Sequence, residues 1–156
     1  MVKHNSPSRF SFIKSQVILT QTDTTVGFLS QDARKLQEIK SRPSTKPFIQ
    51  VFSSFPAFSQ TKRIPNKHKK FVRRAKKTTF IVKNKAFRIA PHPLHVTFLQ
   101  KTAWFYSTSA NESGKHFERS FCEAKADIII ENKDALYEGE ASKLYKINNT
   151  KIKRLR

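Results

Sequence analysis

The chain has 156 residues with 31 Lys and Arg against 11 Asp and Glu, a formal charge of +20, so it reads as one domain with an anionic partner: nucleic acid, nucleotide or membrane surface. One Cys excludes an intramolecular disulfide and a Cys-based zinc site, and three Gly are too few for Walker-type or dinucleotide-binding loops. No apolar run nears the roughly 18 residues of a membrane span, and Met1–Lys14 lacks a continuous apolar stretch, so the expectation is a soluble cytoplasmic protein without a membrane partner.

Residues 1–11 read as a polar tail and 12–156 as the domain. Gln16–Thr20 is an apolar run of buried-strand type, followed by the hydroxyl-rich strand end or turn Thr22-Asp23-Thr24-Thr25-Val26-Gly27. Ser30–Lys40 has helical spacing in Ala33, Leu36 and Ile39, with Ser30 or Asp32 as cap and Pro43 beyond its end. Phe48–Phe52 reads as a strand; Ser53–Lys77 is the loosest stretch, with helix expected over 67–77. Thr78–Val82 and Ala86–Ile89 suit a hairpin turning at Lys83-Asn84-Lys85. A helix is expected over Pro91–Lys101, a strand over Ala103–Tyr106, a loop over Ser107–Gly114 and a helix over Phe117–Lys125. Strands are expected at Ala126–Ile130, Lys143–Ile147 and Thr150–Leu155. Strands alternating with helices give an α/β class: a single-domain twisted mixed sheet with flanking helices. Ligands gather at strand ends in such sheets.

Between Glu38 and Glu112 there is no carboxylate side chain. Such an interval suits anion binding and leaves little for carboxylate acid–base catalysis. Two runs stand out in or beside it. Lys40-Ser41-Arg42-Pro43-Ser44-Thr45-Lys46-Pro47 offers a guanidinium fork and point charges on a stiffened loop, although Lys40 also suits a plain helix-ending cation. Ser107-Thr108-Ser109-Ala110-Asn111-Glu112-Ser113-Gly114 offers hydroxyls and an amide after an apolar strand, although the same residues favour ordinary turns. Ser109 has no Gly-x-Ser-x-Gly elbow and is not read as a nucleophile. His92 and His95 lack the partners of a zinc site, so no metal ligands are expected. Cys122 sits on an amphipathic stretch and reads as a buried bystander.

In this order the motifs resemble the YrdC-like threonylcarbamoyl-AMP synthases over about residues 16–155, which makes a compact, divergent YrdC-like fold the expectation. Lys40-Ser41-Arg42 is similar to the family's Lys-x-Arg signature, and Ser109-Ala110-Asn111 matches Ser-x-Asn. Gln21–Gly27 looks like Pro-Thr-(Asp/Glu)-Thr-x-Tyr-Gly, with Gln21 for Pro and Val26 for Tyr. Phe87–Leu94 looks like Val-Arg-x-Pro-x-His-Pro-Leu, and Thr79 and Ser142 stand where late family motifs place a Thr and a Ser. Ala75-Lys76-Lys77 replaces a Pro-Gly-Pro run.

The resemblance implies a nucleotidyltransferase. ATP, accompanied by Mg2+, L-threonine and bicarbonate give L-threonylcarbamoyladenylate and pyrophosphate, for threonylcarbamoyladenosine modification of tRNA. Carried over by position, Lys40, Arg42, Lys46, Thr79, Arg88, Ser109, Asn111 and Ser142 would contact nucleotide, and Thr22, Thr24 and Thr108 would line the threonine side. No covalent catalytic residue is needed, because positioning and charge neutralisation suffice for adenylation. An alternative drops catalysis and keeps an RNA- or tRNA-binding module of the same fold. It rests on the twelve Lys and Arg within Lys62–Arg88, with Lys67, Lys69, Lys70, Arg73, Arg74, Lys76 and Lys77 as RNA-contact candidates and Phe71 among the rings for stacking. Protein partners would belong to the tRNA-modification pathway. A third reading, a basic structural protein, explains the charge but not the ordered motifs.

Overall fold

The computed structural model describes residues 9–41, 47–90 and 102–156. Nine strands among them build one mixed sheet: β1 (Ile18–Gln21), β2 (Val26–Ser30), β3 (Ile49–Phe52), β4 (Thr78–Val82), β5 (Lys85–Ile89), β6 (Trp104–Ser109), β7 (Ile128–Ile130), β8 (Lys143–Ile147) and β9 (Ile152–Arg154). Their order across the sheet is β7-β1-β2-β6-β3-β5-β4-β8-β9. The pairs β1/β7, β3/β5 and β4/β8 are parallel, and the rest are antiparallel. The described helices are α1 (Arg9–Lys14), α2 (Ala33–Lys40), α3 (Phe55–Thr61), α4 (Lys69–Arg74) and α5 (Arg119–Lys125). No helix among the described residues is long and apolar enough to cross a membrane.

Register divides the sheet into two faces, because cross-strand partners share a face and neighbours along a strand do not. Phe28 opposes Thr108, Gln50 opposes both Tyr106 and Phe87, and Phe80 opposes both Phe87 and Tyr145. This face carries two large apolar clusters. One joins Leu19, Phe28, Leu36 of α2 and Cys122 of α5. The other joins Phe52, Phe80 and Phe87 with Phe58 of α3 and Val72 of α4. On the opposite face Ile18, Leu29 and Phe105 form a smaller cluster, with Ile13 of α1 packed on it. That opposite face also holds Ser107, Val51, Arg88 and Thr79.

The mixed sheet with flanking helices is as expected, but several elements differ. β2 is not among the expected strands: Val26 and Gly27 read as a strand end or turn, Ser30 as the start of a helix, and Phe28 and Leu29 as neither. All five of its residues are buried, and an apolar run covered on both faces shows no alternation. Asp32 caps α2 by accepting from the Arg34 and Lys35 N–H groups, and Ser41 closes the helix in the left-handed region at φ 45. Ser30 instead ends β2, and its Oγ accepts from the Asp32 N–H. The stretch read as loosest contains α3, capped by Ser54 with Pro56 in its first turn. The helix expected over 67–77 shortens to a 3-10 turn at Asn66–His68 followed by α4. α1 begins inside the expected tail. β6 runs on through Ser109, so Ser107, Thr108 and Ser109 are strand rather than loop. The helix expected over Pro91–Lys101 lies outside the described residues, as do His92 and His95.

Candidate active site

The end of β6 is tied to the end of α2. Lys40 is buried, and its ammonium donates to the Ser109 carbonyl at 3.1 Å, to Asn111 Oδ1 at 2.7 Å and to the Asn111 carbonyl. Ser109 Oγ donates to the same Oδ1 at 2.7 Å, and Asn111 Nδ2 donates to the Lys115 carbonyl. An ammonium has three donors, and these three oxygens are its partners among the described residues. Two motifs 69 and 71 residues apart in sequence therefore form one knot, with the ammonium fixing the Ser-x-Asn loop.

Beside the knot lies the β1–β2 turn. Thr22 Oγ1 donates to the Thr25 carbonyl at 2.7 Å and accepts from the Thr24 and Thr25 N–H groups, a side chain imitating a turn. Gly27 opposes Ser109. A Cβ at Gly27 would meet Thr22 Cγ2 at 3.0 Å and Ser107 Oγ at 3.7 Å, so the missing side chain lets the turn close on β6. The segment after β7 braces the same turn: Val26 N–H donates to the Tyr137 carbonyl, Gln21 Oε1 accepts from Tyr137 N–H, and Gly139 N–H donates to Thr25 Oγ1. At Gly139 a Cβ would stand 2.0 Å from the Thr24 carbonyl oxygen.

From β5, Arg88 Nη1 donates to Thr24 Oγ1 at 2.7 Å and lies 3.2 Å from Asp23 Oδ1. Strands β6 and β3 stand between β2 and β5, about 14 Å of flat sheet at ~4.8 Å per strand. The contact therefore requires the twist of the sheet to carry the β1–β2 turn back across the open face. Burial pushes the Asp23 carboxyl up from its ordinary value, with Arg88 and Lys77 pulling it back. Burial likewise lowers Arg88, against the opposing charge of Asp23. Arg88 Nε is buried without a hydrogen-bond partner among the described residues, so that N–H is not engaged. Asp23 also borders a cavity of about 650 Å³ rimmed by Arg73, Arg74, Lys76 and Lys77. On the open face Thr79 Oγ1 and Ser142 Oγ are 2.8 Å apart, both buried.

The structure thus brings Lys40, Ser109 and Asn111 together, and separately joins Thr22, Thr24 and Arg88; Thr79 pairs with Arg88 in register and touches Ser142. Thr108 does not join Thr22, because it opposes Phe28 on the helix-covered face. Arg42 and Lys46 lie outside the described residues. The exposed side chains of Lys67, Lys69, Lys70, Arg73, Arg74, Lys76 and Lys77 flank α4, with Arg73 over the Phe55 ring. Phe71 is 39% exposed, whereas Phe80 and Phe87 belong to the core. Burial raises the Cys122 thiol above its ordinary value, as suits a bystander. Val26, where the resemblance places a Tyr, lies in the helix-side core. Two residues of the site went unread as members: Ser107, which strand parity would have chosen over Thr108, and Asp23, whose signal is one acid inside a hydroxyl turn.

Comparison with known proteins follows the same geometry. The family model Sua5_yciO_yrdC, described as telomere recombination, matches residues 12–156. The chain is 29% identical over 102 residues to the uncharacterized protein MG259 homolog of Mycoplasma pneumoniae, covering 64% of this chain and 22% of that protein. P. abyssi Sua5 superposes with a TM-score of 0.76 at 19% identity as its H234A/Y235A variant, and 0.72 at 20% in complex with L-threonine. Each superposition covers 94% of this chain, but 54% and 52% of the Sua5 chain. E. coli YciO superposes with 0.70 at 15% identity, over 94% of this chain and 85% of YciO. The chain therefore spans about half of Sua5 and less than a quarter of the mycoplasma protein.

Proposed function

The chain belongs to the Sua5/YciO/YrdC family, and on that premise we propose that it is a nucleotidyltransferase making L-threonylcarbamoyl-AMP from ATP, L-threonine and bicarbonate. The threonine amine bonds to the bicarbonate carbon as water leaves, giving a carbamate. A carbamate oxygen then bonds to the α-phosphorus of ATP while the bond to pyrophosphate breaks. The adenylate serves tRNA modification in the cytoplasm, handed to protein partners of that pathway.

The carrying observation is a pair of clusters linked through the pairing of Gly27 with Ser109: the Lys40–Ser109–Asn111 knot, and the hydroxyl turn at Thr22 and Thr24 that Arg88 contacts. Two anions must be held together for this reaction, and their charge must be neutralised away from water. Arg88 has the chemistry for that: a buried cation whose Nε–H has no hydrogen-bond partner among the described residues. The nucleotide contacts proposed for Arg42, Lys46, Thr79 and Ser142 rest on the family motifs. Lys40 would act mainly by holding the loop. Magnesium enters with ATP as part of the substrate, since that ion keeps several waters and rides on phosphate oxygens. Among the described residues no three His, Cys, Asp or Glu side chains cluster as metal ligands. The L-threonine bound by P. abyssi Sua5 supports the choice of amino acid.

The test is incubation with ATP, bicarbonate and magnesium, with and without L-threonine. The expected result is pyrophosphate release that depends on threonine. Folded protein that binds ATP yet releases none above background would overturn the proposal. It would leave the second reading, an RNA-binding module without catalysis, which the exposed cations on and beside α4 favour.

A further inference from the structure

We propose that the helix-covered side of the sheet carries a second site, a groove for single-stranded nucleic acid, away from the hydroxyl turn. Three crevices of about 280, 300 and 420 Å³ run together there. The first two share Gln50, Lys62 and Lys85, and the last two share Lys62 and Arg63. The floor is the strip between α2 and α3 that no other described helix covers, where β3 and β6 present Gln50 and Tyr106 opposite one another. Lys62, Arg63, Lys69, Lys83 and Lys85 line the track, and no Asp or Glu does. Tyr106 is half-buried at one end, 5.1 Å from the ring of Trp104.

The geometry selects the partner. Cations spaced along a concave track with an aromatic at its base suit a phosphate backbone whose bases stack. A membrane would need apolar anchors, but none of Phe12, Phe71, Ile129, Tyr137 and Leu155, the exposed large apolar residues among those described, lines the groove. An extended acidic peptide would be expected to pair with a sheet edge, whereas β6, β3 and β5 are all interior strands. A duplex is too wide to bring its bases to Tyr106. The track differs from the surface around α4, sharing only Lys69 with the RNA-contact candidates above.

The experiment uses the full chain and a labelled 15-nucleotide oligouridylate, read by anisotropy and by fluorescence of Trp104, the single Trp of the sequence. Five phosphate contacts predict a log–log salt slope near −3.5, hence about 100-fold weaker binding between 50 and 200 mM salt. Binding is expected to quench Trp104, whereas heparin, which has charge but no bases, binds without quenching. Lys62→Gln with Lys85→Gln is expected to weaken the oligonucleotide at least 10-fold and flatten the slope by about 1.4. Lys151→Gln with Lys153→Gln, an equal charge change on and beside β9, should weaken it less than 3-fold. Threonine-dependent pyrophosphate release should be unchanged in both double variants, and thermal melts confirm folding. Equal weakening by the two double variants, no quenching on binding, or tighter binding of a 15-base-pair duplex would each overturn the groove.

Discussion

Lys40→Met separates two roles that the sequence cannot tell apart. Methionine keeps most of the stem volume and deletes the ammonium. The change removes hydrogen bonds to the Ser109 carbonyl and to both oxygens of Asn111. Bonds from a charged donor contribute about 1.5–3 kcal/mol each. The three share one loop, Asn111 is only half-buried and can recruit water, and deleting a buried charge recovers part of its desolvation cost. We therefore expect a net loss of about 3 kcal/mol, which for a chain of this size is about 6–12 °C in melting temperature. Thermal unfolding by circular dichroism reads this directly, and an ATP titration on the same protein reads the site. If Lys40 holds the loop, Asn111→Ala should also destabilise, and the double variant should fall well short of the sum, because both singles break the same knot. A Lys40→Met protein that melts within about 2 °C of the parent yet loses ATP affinity would refute the reasoning, making the ammonium a direct phosphate ligand.

Asp23 and Arg88 should respond unequally. Asp23→Asn leaves a buried guanidinium that cannot shed its proton, with an expected loss of about 2–4 kcal/mol in urea unfolding at pH 7. Arg88→Met leaves a carboxylate that can protonate. Burial already places the Asp23 pKa above its unfolded value, and losing the cation raises it further. The folded state then binds a proton before the unfolded state does, so the defect should shrink as pH falls from 7 toward the unfolded value near 3.8. A defect independent of pH would contradict this. Gly139→Ala should push the Thr24 carbonyl aside and lower threonine-dependent pyrophosphate release at least 10-fold, measured as a rise in KM for threonine. In the β4–β5 hairpin both Lys83 (φ 49) and Asn84 (φ 61) are left-handed, so Asn84→Gly should stabilise by about 0.5–1 kcal/mol, read as a melting-temperature rise of about 1–4 °C.

What was legible followed from local chemistry. Ser30 and Asp32 both suit a cap, and Asp32 takes the first N–H groups of α2; the β4–β5 hairpin is legible at Lys83-Asn84-Lys85, although Lys85 already belongs to β5. β2 was illegible because burial on both faces erases the period-2 signal. Thr108, placed on the threonine side by the resemblance, faces the helix-covered side opposite Phe28, because one residue either way along β6 exchanges one face for the other. The pairing of Asp23 with Arg88, 65 positions apart in the chain, depends on the twist of the whole sheet, which no local pattern carries.

The knot at Lys40 changes what a Lys-x-Arg signature means in this fold. A lysine at the end of a helix, read alone, is either a cap or a ligand for phosphate. Here its ammonium also binds a loop that would otherwise present bare carbonyls to an incoming polyanion. Covering those oxygens with a cation removes repulsion even without contact to the ligand, and the effect is strongest where water is excluded. Arg88 works in the complementary way on the opposite side of the turn: its Nη1 is held by Thr24 and Asp23 while Nε stays unengaged. One cation thus shapes the rim and the other keeps a donor in reserve.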